Sequence, residues 1–199
     1  MERSAAERRE DLVVLFRQLQ TCPKCALCEG RTRVVFGNGN ADADLMFVGE
    51  APGAEEDRQG LPFVGRAGKL LDELLGEIGL QRKEDVFVCN VLKCRPPGNR
   101  DPQPEEIAAC SPFLMRQIEL IRPRVICTLG NFATKLLSGS PVGITKVHGI
   151  AQDTEFAGVP TRLYPLFHPA AALRTPSVKE LLRQDFQRIP DLLVASRPR

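Results

Sequence analysis

Long apolar runs are absent from this sequence. The first residues, MERSAAERREDLVVLF, are charged from the second position onward and contain neither an apolar signal core nor a cleavage site. No later apolar run is long enough to span a bilayer. These absences predict a cytoplasmic protein that has no membrane partner.

A strong excess of charge and internal repetition are absent as well. The net charge is only +2, so charge alone neither requires nor excludes a nucleic-acid partner. The chain has no internal repeat, no low-complexity tract and no segment of linker composition. Its 199 residues, 43% of them hydrophobic, match one domain that buries a core. We therefore expect a single domain over residues 1–199, and we expect it to be a monomer.

Four short apolar runs alternate with helical patterns along the chain. The runs lie at 44–49, 85–92, 124–130 and 162–169, and each is typical of a buried strand. Apolar residues recur at helical spacing at 5–20, 66–79, 104–121, 130–138 and 177–194. Strands that alternate with helices predict the α/β class, with a parallel sheet covered by helices on both faces.

Unusual residues accompany three of the four predicted strands. The segment GEAPG, residues 49–53, follows the first strand, Asn90 lies in the second and His168 follows the fourth. Because ligands of a parallel sheet bind beyond the carboxyl ends of its strands, we expect these segments to surround one pocket. The longer segment GEAPGAEED fits neither a dinucleotide fingerprint nor a P-loop, and its carboxylates would repel phosphate. Nucleotide phosphate binding is therefore disfavoured.

Individual side chains of this expected pocket have the chemistry of ligand contacts. Phe63 lies in a loop between glycines rather than on an apolar helix face, which suits a stacking wall. Asn90 interrupts an apolar strand with an amide that needs a partner when it is buried. Taken singly, Asn90 is equally well interpreted as a strand cap and His168 as a turn residue, but together they favour a site. His148 has no comparable setting, and we expect it on the surface.

The seven cysteines are of two kinds. A reducing cytosol favours metal binding or catalysis over disulfides. Cys89 and Cys127 lie inside apolar runs and are expected to be small buried hydrophobic residues. A Cys-x-x-Cys pair followed by two distant thiols favours a [4Fe-4S] cluster, with zinc and no metal as the alternatives. The cysteines outside the apolar runs are Cys22, Cys25, Cys28, Cys94 and Cys110.

These segments together carry a resemblance to a known family. CPKCALCEGRTRVVFGNGN, GEAPGAEEDRQGLPFVGRAGKLLD, NVLKCRPPGNRDPQPEEIAAC and FHPAAALR resemble the family 4 uracil-DNA glycosylases, the bacterial and archaeal iron–sulfur type. The resemblance covers most of the chain and implies a three-layer αβα sandwich around a four-stranded parallel sheet. It also implies a [4Fe-4S] cluster on Cys22, Cys25, Cys94 and Cys110, which leaves Cys28 as an additional thiol.

The implied activity is hydrolysis of the bond between uracil and deoxyribose in single- or double-stranded DNA, after the base has been flipped out. Phe63 would stack on uracil, the Asn90 amide would pair with its O4 and N3 edge, and His168 would donate to O2. Glu50 would orient the attacking water. A rotated Asn90 amide would favour cytosine, so we expect neighbours to fix its orientation. The implied catalytic residues are Glu50, Asn90 and His168, and the implied substrate-binding residues are these three with Gly49, Ala51, Pro52, Gly53 and Phe63.

Two positions differ from the best-studied uracil-DNA glycosylases. Those enzymes have an aspartate at the position of Ala51, so the group that activates the water stays open. They also have a bulky residue at the position of Gly53, which excludes the methyl group of thymine. We hypothesise that Glu56 excludes thymine in this chain.

Basic residues near the expected pocket are candidate DNA contacts. Cations that bind phosphates would make the affinity sensitive to salt. Leu173 is a candidate wedge for the space that the flipped base leaves. The cations that we expect to contact DNA are Lys93, Arg95, Arg100, Lys146 and Arg174.

Two alternative functions stay open. One relative in the superfamily forms a covalent adduct with uracil-containing DNA through a histidine in an inserted basic loop, whereas this chain has KCRPPGNRDPQ there and no histidine. A second alternative is a nonenzymatic iron–sulfur module that binds DNA. The presence of the implied catalytic residues argues against it.

Overall fold

All four predicted apolar runs form strands, and together they make the centre of one sheet. The computed structural model describes residues 3–196 of the chain. Every residue of the second, third and fourth strands in chain order is buried, as expected for strands that are covered on both faces. The strands are β1 (Asn38–Gly39), β2 (Leu45–Gly49), β3 (Val86–Asn90), β4 (Val125–Leu129), β5 (Gln152–Phe156) and β6 (Val159–Leu166).

The strand order in the sheet is β1-β3-β2-β4-β6-β5. The four central strands are parallel, which confirms the predicted α/β class, and Gly49 of β2 lies opposite Asn90 of β3. The two outer strands, β1 and β5, run antiparallel and extend the predicted four-stranded sheet to a mixed sheet of six. The pattern missed β5 because this edge strand, QDTEF, is polar; it pairs with β6 through a tight turn at Ala157 and Gly158, both with positive φ.

Helices cover both faces of the sheet, which gives the three predicted layers. One face packs on the helices at Ala5–Gln20, Pro104–Ile121 and Asn131–Ser138, and the other face packs on those at Arg66–Glu77 and Pro176–Gln187. The predicted helix at 177–194 is two helices, because the first ends at Gln187 and the second begins at Ile189 with Pro190 in its first turn. The helices are α1 (Ala5–Gln20), α2 (Leu27–Gly30), α3 (Ala54–Gln59), α4 (Arg66–Glu77), α5 (Pro104–Ile121), α6 (Asn131–Ser138), α7 (Ile144–Val147), α8 (Pro169–Ala172), α9 (Pro176–Gln187) and α10 (Ile189–Ala195), with a short 3-10 turn at Pro97–Asn99.

Parallel pairing brings the carboxyl ends of the four central strands to one edge of the sheet. At this edge β2 leads into GEAPG, β3 ends at Asn90 and β6 leads to His168. The fold thus brings together the segments that the sequence had singled out. Among residues 3–196, none of the helices has the length and apolar character needed to cross a membrane.

Candidate active site

The carboxyl ends of the central strands surround an open pocket of about 450 Å³. Seven of the eight predicted substrate-binding residues line it, together with Glu56. Gly49, the eighth, lies behind the wall and packs against two of the lining side chains. Four lining residues were not predicted: Ala67, Pro96, Asn99 and Ala170. Of these, Asn99 belongs to the turn signal RPPGN, which predicts a loop but does not predict that this residue lines the pocket.

Asn90 ends strand β3 at the wall of this pocket. It is only 2% exposed, and its side-chain amide makes no hydrogen bond to any other residue in the described part of the chain. Its Oδ1 lies against Gly49 on the neighbouring strand, where an added Cβ would approach to 2.4 Å. The expected hydrogen bonds that fix the amide are therefore not found among residues 3–196. A buried amide that lines a pocket and has no partner is suited to bind a ligand.

Phe63 forms one wall of the pocket and is 7% exposed. Its ring stacks on the imidazole of His168, with centroids 5.6 Å apart and planes inclined by 29°. Gly49 makes this position possible, because a Cβ there would lie 2.8 Å from Cζ of Phe63. Two flat rings and a buried amide therefore line one compact space.

His168 lies two residues beyond β6, as the N-cap of the short helix α8. Its Nδ1 accepts a hydrogen bond from the backbone N–H of Ala170 at 3.1 Å. Because Nδ1 is an acceptor, the neutral imidazole carries its proton on Nε2. Burial lowers the pKa of His168 from 6.5 to about 4, against an opposing effect of Glu56, so the ring is neutral at pH 7. Gly130 allows the segment that carries His168 to pass close by, since an added Cβ at Gly130 would lie 3.0 Å from Cβ of His168.

Glu50 contributes a half-buried carboxylate to the same pocket. Burial is the main reason that the pKa of Glu50 is raised above 4.5, and repulsion from Asp101 adds to it. Asp101 lies in the loop opposite, one residue after Arg100, which lines the pocket. Its influence on Glu50 was not predicted, because only the folded loop brings these two carboxylates together.

Glu56 occupies the space beside Gly53. A Cβ at Gly53 would lie 2.8 Å from Oε2 of Glu56. The other oxygen, Oε1, accepts the backbone N–H groups of Val64 at 3.0 Å and Gly65 at 3.1 Å. The carboxylate is therefore held in place between the GEAPG segment and the loop that carries Phe63.

The structure corrects the role predicted for Lys93. This side chain is fully buried, and its Nζ donates to the backbone carbonyl of Asn90 at 2.7 Å and to Oε1 of Gln117 at 2.6 Å. A fully buried ammonium cannot reach a phosphate, so the prediction that Lys93 contacts DNA is wrong. Lys93 lies three residues after the end of β3, and its side chain extends back toward that strand end and toward Gln117 of α5. Its contact instead supports the backbone of Asn90.

The other predicted DNA contacts are at the surface to different degrees. Arg100 lines the pocket, but its guanidinium makes two hydrogen bonds with Glu106, at 2.9 and 2.5 Å. Arg95 donates from Nε to Oδ1 of Asn99 at 2.8 Å. Contacts of these side chains with DNA stay predictions. Arg174 lines the pocket and is exposed. Leu173 and Lys146 are exposed as well, but they do not line the pocket.

His148, which we expected on the surface, is only partly exposed and is packed. Its Nδ1 lies 2.7 Å from Oδ2 of the buried Asp185, and its ring packs on Phe167 with centroids 4.5 Å apart. Gly149 permits this contact, because a Cβ there would lie 2.3 Å from Asp185. His148 is therefore a packed residue behind the segment that carries His168. No local pattern predicts this contact, since Asp185 lies 37 residues away on a different helix.

The four predicted ligand cysteines gather on the face of the sheet that packs on α1 and α5. Cys94 and Cys110 are buried there, and Cys22 and Cys25 pack against the same core. Burial is the main reason that the pKa of the Cys94 thiol is raised, and repulsion from Cys25 and Cys22 adds a smaller effect. Burial also raises the pKa of Cys110 to about 11. Cys89 and Cys127 are completely buried, which confirms the prediction for them.

Nitrogen donors point at two of these sulfur atoms. The backbone N–H of Lys93 donates to Sγ of Cys110 at 3.3 Å, and Nη1 of Arg31 donates to Sγ of Cys94 at 3.5 Å. Within residues 3–196 no three His, Cys, Asp or Glu side chains are arranged to hold a single metal ion. An iron–sulfur cluster is larger, takes thiolates from separate segments and is tuned by hydrogen bonds to sulfur. This donor set fits such a cluster.

Comparison with known proteins agrees with this geometry. Residues 36–189 match the family model described as the uracil DNA glycosylase superfamily. The chain is 46% identical over 194 residues to a type-4 uracil-DNA glycosylase of Saccharolobus solfataricus, covering 95% of this chain and 89% of the relative. It is 45% identical over 193 residues to the type-4 enzyme of Archaeoglobus fulgidus, covering 95% and 96%. With that of Thermotoga maritima the identity is 47% over 184 residues, covering 91% and 94%. The chain belongs to the uracil DNA glycosylase superfamily and, within it, to the type-4 uracil-DNA glycosylases.

Proposed function

We propose that this protein repairs DNA by hydrolysing the N-glycosidic bond of uracil, which releases free uracil and leaves an abasic site. One observation carries the proposal: the buried Asn90 amide lines the pocket and has no hydrogen-bond partner among residues 3–196. The O4 and N3–H edge of uracil offers it one acceptor and one donor. Cytosine presents the reverse arrangement, so the amide distinguishes the two bases when its orientation is fixed.

The base reaches this pocket by flipping out of the helix, which costs roughly a few kcal/mol and least for a mispaired or single-stranded base. The ring of Phe63, which packs on the imidazole of His168, then offers a face on which the extruded pyrimidine stacks. We propose that both single-stranded and double-stranded DNA that contain uracil are substrates and that the protein acts as a monomer.

His168 stabilises the departing base. Since its Nδ1 is occupied by the N–H of Ala170, the Nε2–H donates to O2 of uracil, where negative charge develops as the bond breaks. Its low pKa, a consequence of burial, keeps the ring neutral, so the donor is an imidazole and not an imidazolium. Loss of one such donor typically lowers kcat by about 10²- to 10³-fold. Backbone N–H groups near Glu50 and Ala51 share this stabilisation.

Glu50 orients the attacking water on the sugar side of the pocket. Its carboxylate lines the pocket and makes no hydrogen bond within the described part of the chain, which leaves it free to accept one from water. An oxocarbenium-like sugar also gains from a nearby negative charge. Ala51 supplies no carboxylate, so Glu50 is the acidic group nearest to the strand end.

Glu56 excludes thymine. Its carboxylate fills the space beside Gly53 and is held by two backbone N–H groups, so it cannot move aside easily for a methyl group. A methyl group against a carboxylate would also remove water from that charge without compensation.

A [4Fe-4S] cluster on Cys22, Cys25, Cys94 and Cys110 is part of the proposal. When bound, it supplies iron–thiolate bonds that tie the N-terminal segment to the chain around β3 and α5, and base hydrolysis requires no electron transfer from it. Brown colour and an absorption band near about 400 nm in the purified protein would support it. Zinc in place of iron would contradict it.

A uracil-release assay tests the proposed function. Wild type, His168→Ala and Asn90→Ala are incubated with single- and double-stranded oligonucleotides that contain one uracil, and free uracil is quantified. Asn38→Ala on the edge strand β1 is the matched control, because it removes an amide away from the pocket. Release by wild type and by the control, with rates at least about 100-fold lower in the two pocket variants, is expected.

The same assay separates the two alternative functions. A nonenzymatic module would bind the oligonucleotide and release no uracil. A covalent binder would give a protein–DNA adduct that survives denaturation. Either result with metal-replete wild type would contradict the proposal.

A further inference from the structure

The loop that carries Phe63 has an unfavourable backbone conformation. It connects α3 to α4, and Phe63 has a φ of 52°, in the left-handed region that favours glycine. Bulky residues keep such a conformation only where their surroundings impose it. Because this conformation presents the ring to the pocket, the groups that impose it also determine where a base can stack.

Arg82 holds this loop through the backbone carbonyl groups of two of its residues. Its Nη1 donates to the backbone carbonyls of Pro62 and Phe63, each at 3.0 Å. Its Nη2 donates to the carbonyl of Gly68 at 3.1 Å, and its Nε donates to Oδ1 of Asp72 at 2.6 Å. The side chain is only 15% exposed. One planar guanidinium therefore joins the loop to the first turns of α4.

Gly68 shows how closely the loop and the helix approach. A Cβ at Gly68 would lie 1.7 Å from the carbonyl oxygen of Phe63, so only glycine allows the contact. On the other side of the loop, Glu56 accepts the N–H groups of Val64 and Gly65. The carbonyl groups are thus held by a cation and the following N–H groups by an anion.

We infer that Arg82 is a positioning residue for the proposed reaction: it fixes Phe63 in its left-handed conformation and so sets the affinity for the flipped base. The inference rests on the proposed function. Arg82 does not line the pocket, and it acts through the backbone of the loop. Lysine cannot replace it, because one ammonium does not offer the planar set of donors that meets three carbonyls and a carboxylate.

Arg82→Lys and Arg82→Met test this inference. For both variants we expect the inhibition constant of free uracil and the KM for uracil-containing DNA to rise by about tenfold or more, since stacking of a base on an aromatic ring has an energy on this scale. We expect kcat to decrease by a smaller factor than the factor by which KM rises, because His168 and Glu50 stay in place. The salt dependence of KM should equal that of wild type, because Arg82 contacts no phosphate.

Arg162→Lys is the matched control. Arg162 also pairs with a carboxylate, that of Asp153, but it lies in the middle of β6, opposite the first residue of β4, and does not line the pocket. We expect its kinetic constants to equal those of wild type. All assays are run well below the melting temperature of each variant, and the folded fraction is measured by circular dichroism. If Arg82→Met does not fold, Arg82→Lys still keeps the charge beside Asp72 and decides the question.

Three results would overturn the inference. The first is a wild-type inhibition constant for uracil in Arg82→Lys. The second is a weaker salt dependence, which would make Arg82 a phosphate contact. The third is a loss of activity that the folded fraction explains, with the uracil inhibition constant unchanged. If wild type itself releases no uracil, the proposed function fails, whereas an active wild type with normal Arg82 variants refutes this inference alone.

Discussion

We expect Gly49→Ala to displace Asn90 and Phe63 and so to distort the pocket that they line. An added Cβ would lie 2.4 Å from Oδ1 of Asn90 and 2.8 Å from Cζ of Phe63, and both distances are shorter than van der Waals contact. Neither neighbour can retreat freely, because Asn90 is 2% exposed and the loop of Phe63 is held by Arg82. An extra methyl group in a packed site costs roughly 1–3 kcal/mol. Because displaced Asn90 and Phe63 side chains bind the base less well, we expect a loss of this size in kcat/KM, which is a decrease of about 5- to 150-fold.

Gly76→Ala is the matched control for this prediction. Gly76 lies in the exposed part of α4, and a Cβ there would meet nothing within 4 Å. Alanine is a better helix former than glycine, so this variant should gain about 1 kcal/mol in stability and keep its activity. The assay is the initial rate of uracil release from a single-stranded oligonucleotide, with inhibition by free uracil and thermal unfolding measured in parallel. Wild-type kcat/KM and uracil inhibition in a folded Gly49→Ala protein would refute the packing argument.

Three further predictions concern charge at the pocket. Asp101→Asn removes a like charge that raises the pKa of Glu50, so the acid limb of the profile of kcat/KM against pH should move to lower pH; an unchanged limb would exclude the coupling. Glu56→Ala should allow measurable thymine release from a thymine-containing oligonucleotide, and continued rejection of thymine would remove Glu56 from specificity. The pKa of His168 is lower in the folded state than its ordinary value of 6.5, so its contribution to stability is present above pH 6.5 and is lost as the pH falls toward about 4. Urea unfolding of His168→Gln should show a dependence on pH that is smaller by up to about 1.36 kcal/mol per pH unit in this interval, and an equal slope would contradict the shift.

The sequence was sufficient to predict the centre of the fold and most of the pocket. The four buried strands have continuous apolar runs, and the carboxyl ends of parallel strands must meet at one edge. Asn90 and His168 therefore came together as expected. The edge strand β5 was missed because polar edge strands carry no apolar alternation.

The remaining parts of the site depend on contacts between distant segments. Lysine is ordinarily a surface residue, and only the fold shows that Lys93 is buried beside Gln117. Arg82 lies 19 residues from Phe63 in a polar turn, so no local pattern relates them. The same holds for Asp101 and Glu50, and for His148 and Asp185. Patterns identify which residue types approach a strand end, but they do not identify the residues that hold them there.

The central claim is that Phe63, Asn90 and His168 surround a flipped uracil, and a crystal structure of the protein with free uracil tests it most directly. We expect the pyrimidine to stack on Phe63, with O4 and N3 at the Asn90 amide and O2 at hydrogen-bond distance from Nε2 of His168. Uracil bound elsewhere, or bound in this pocket without contact to the Asn90 amide, would contradict it.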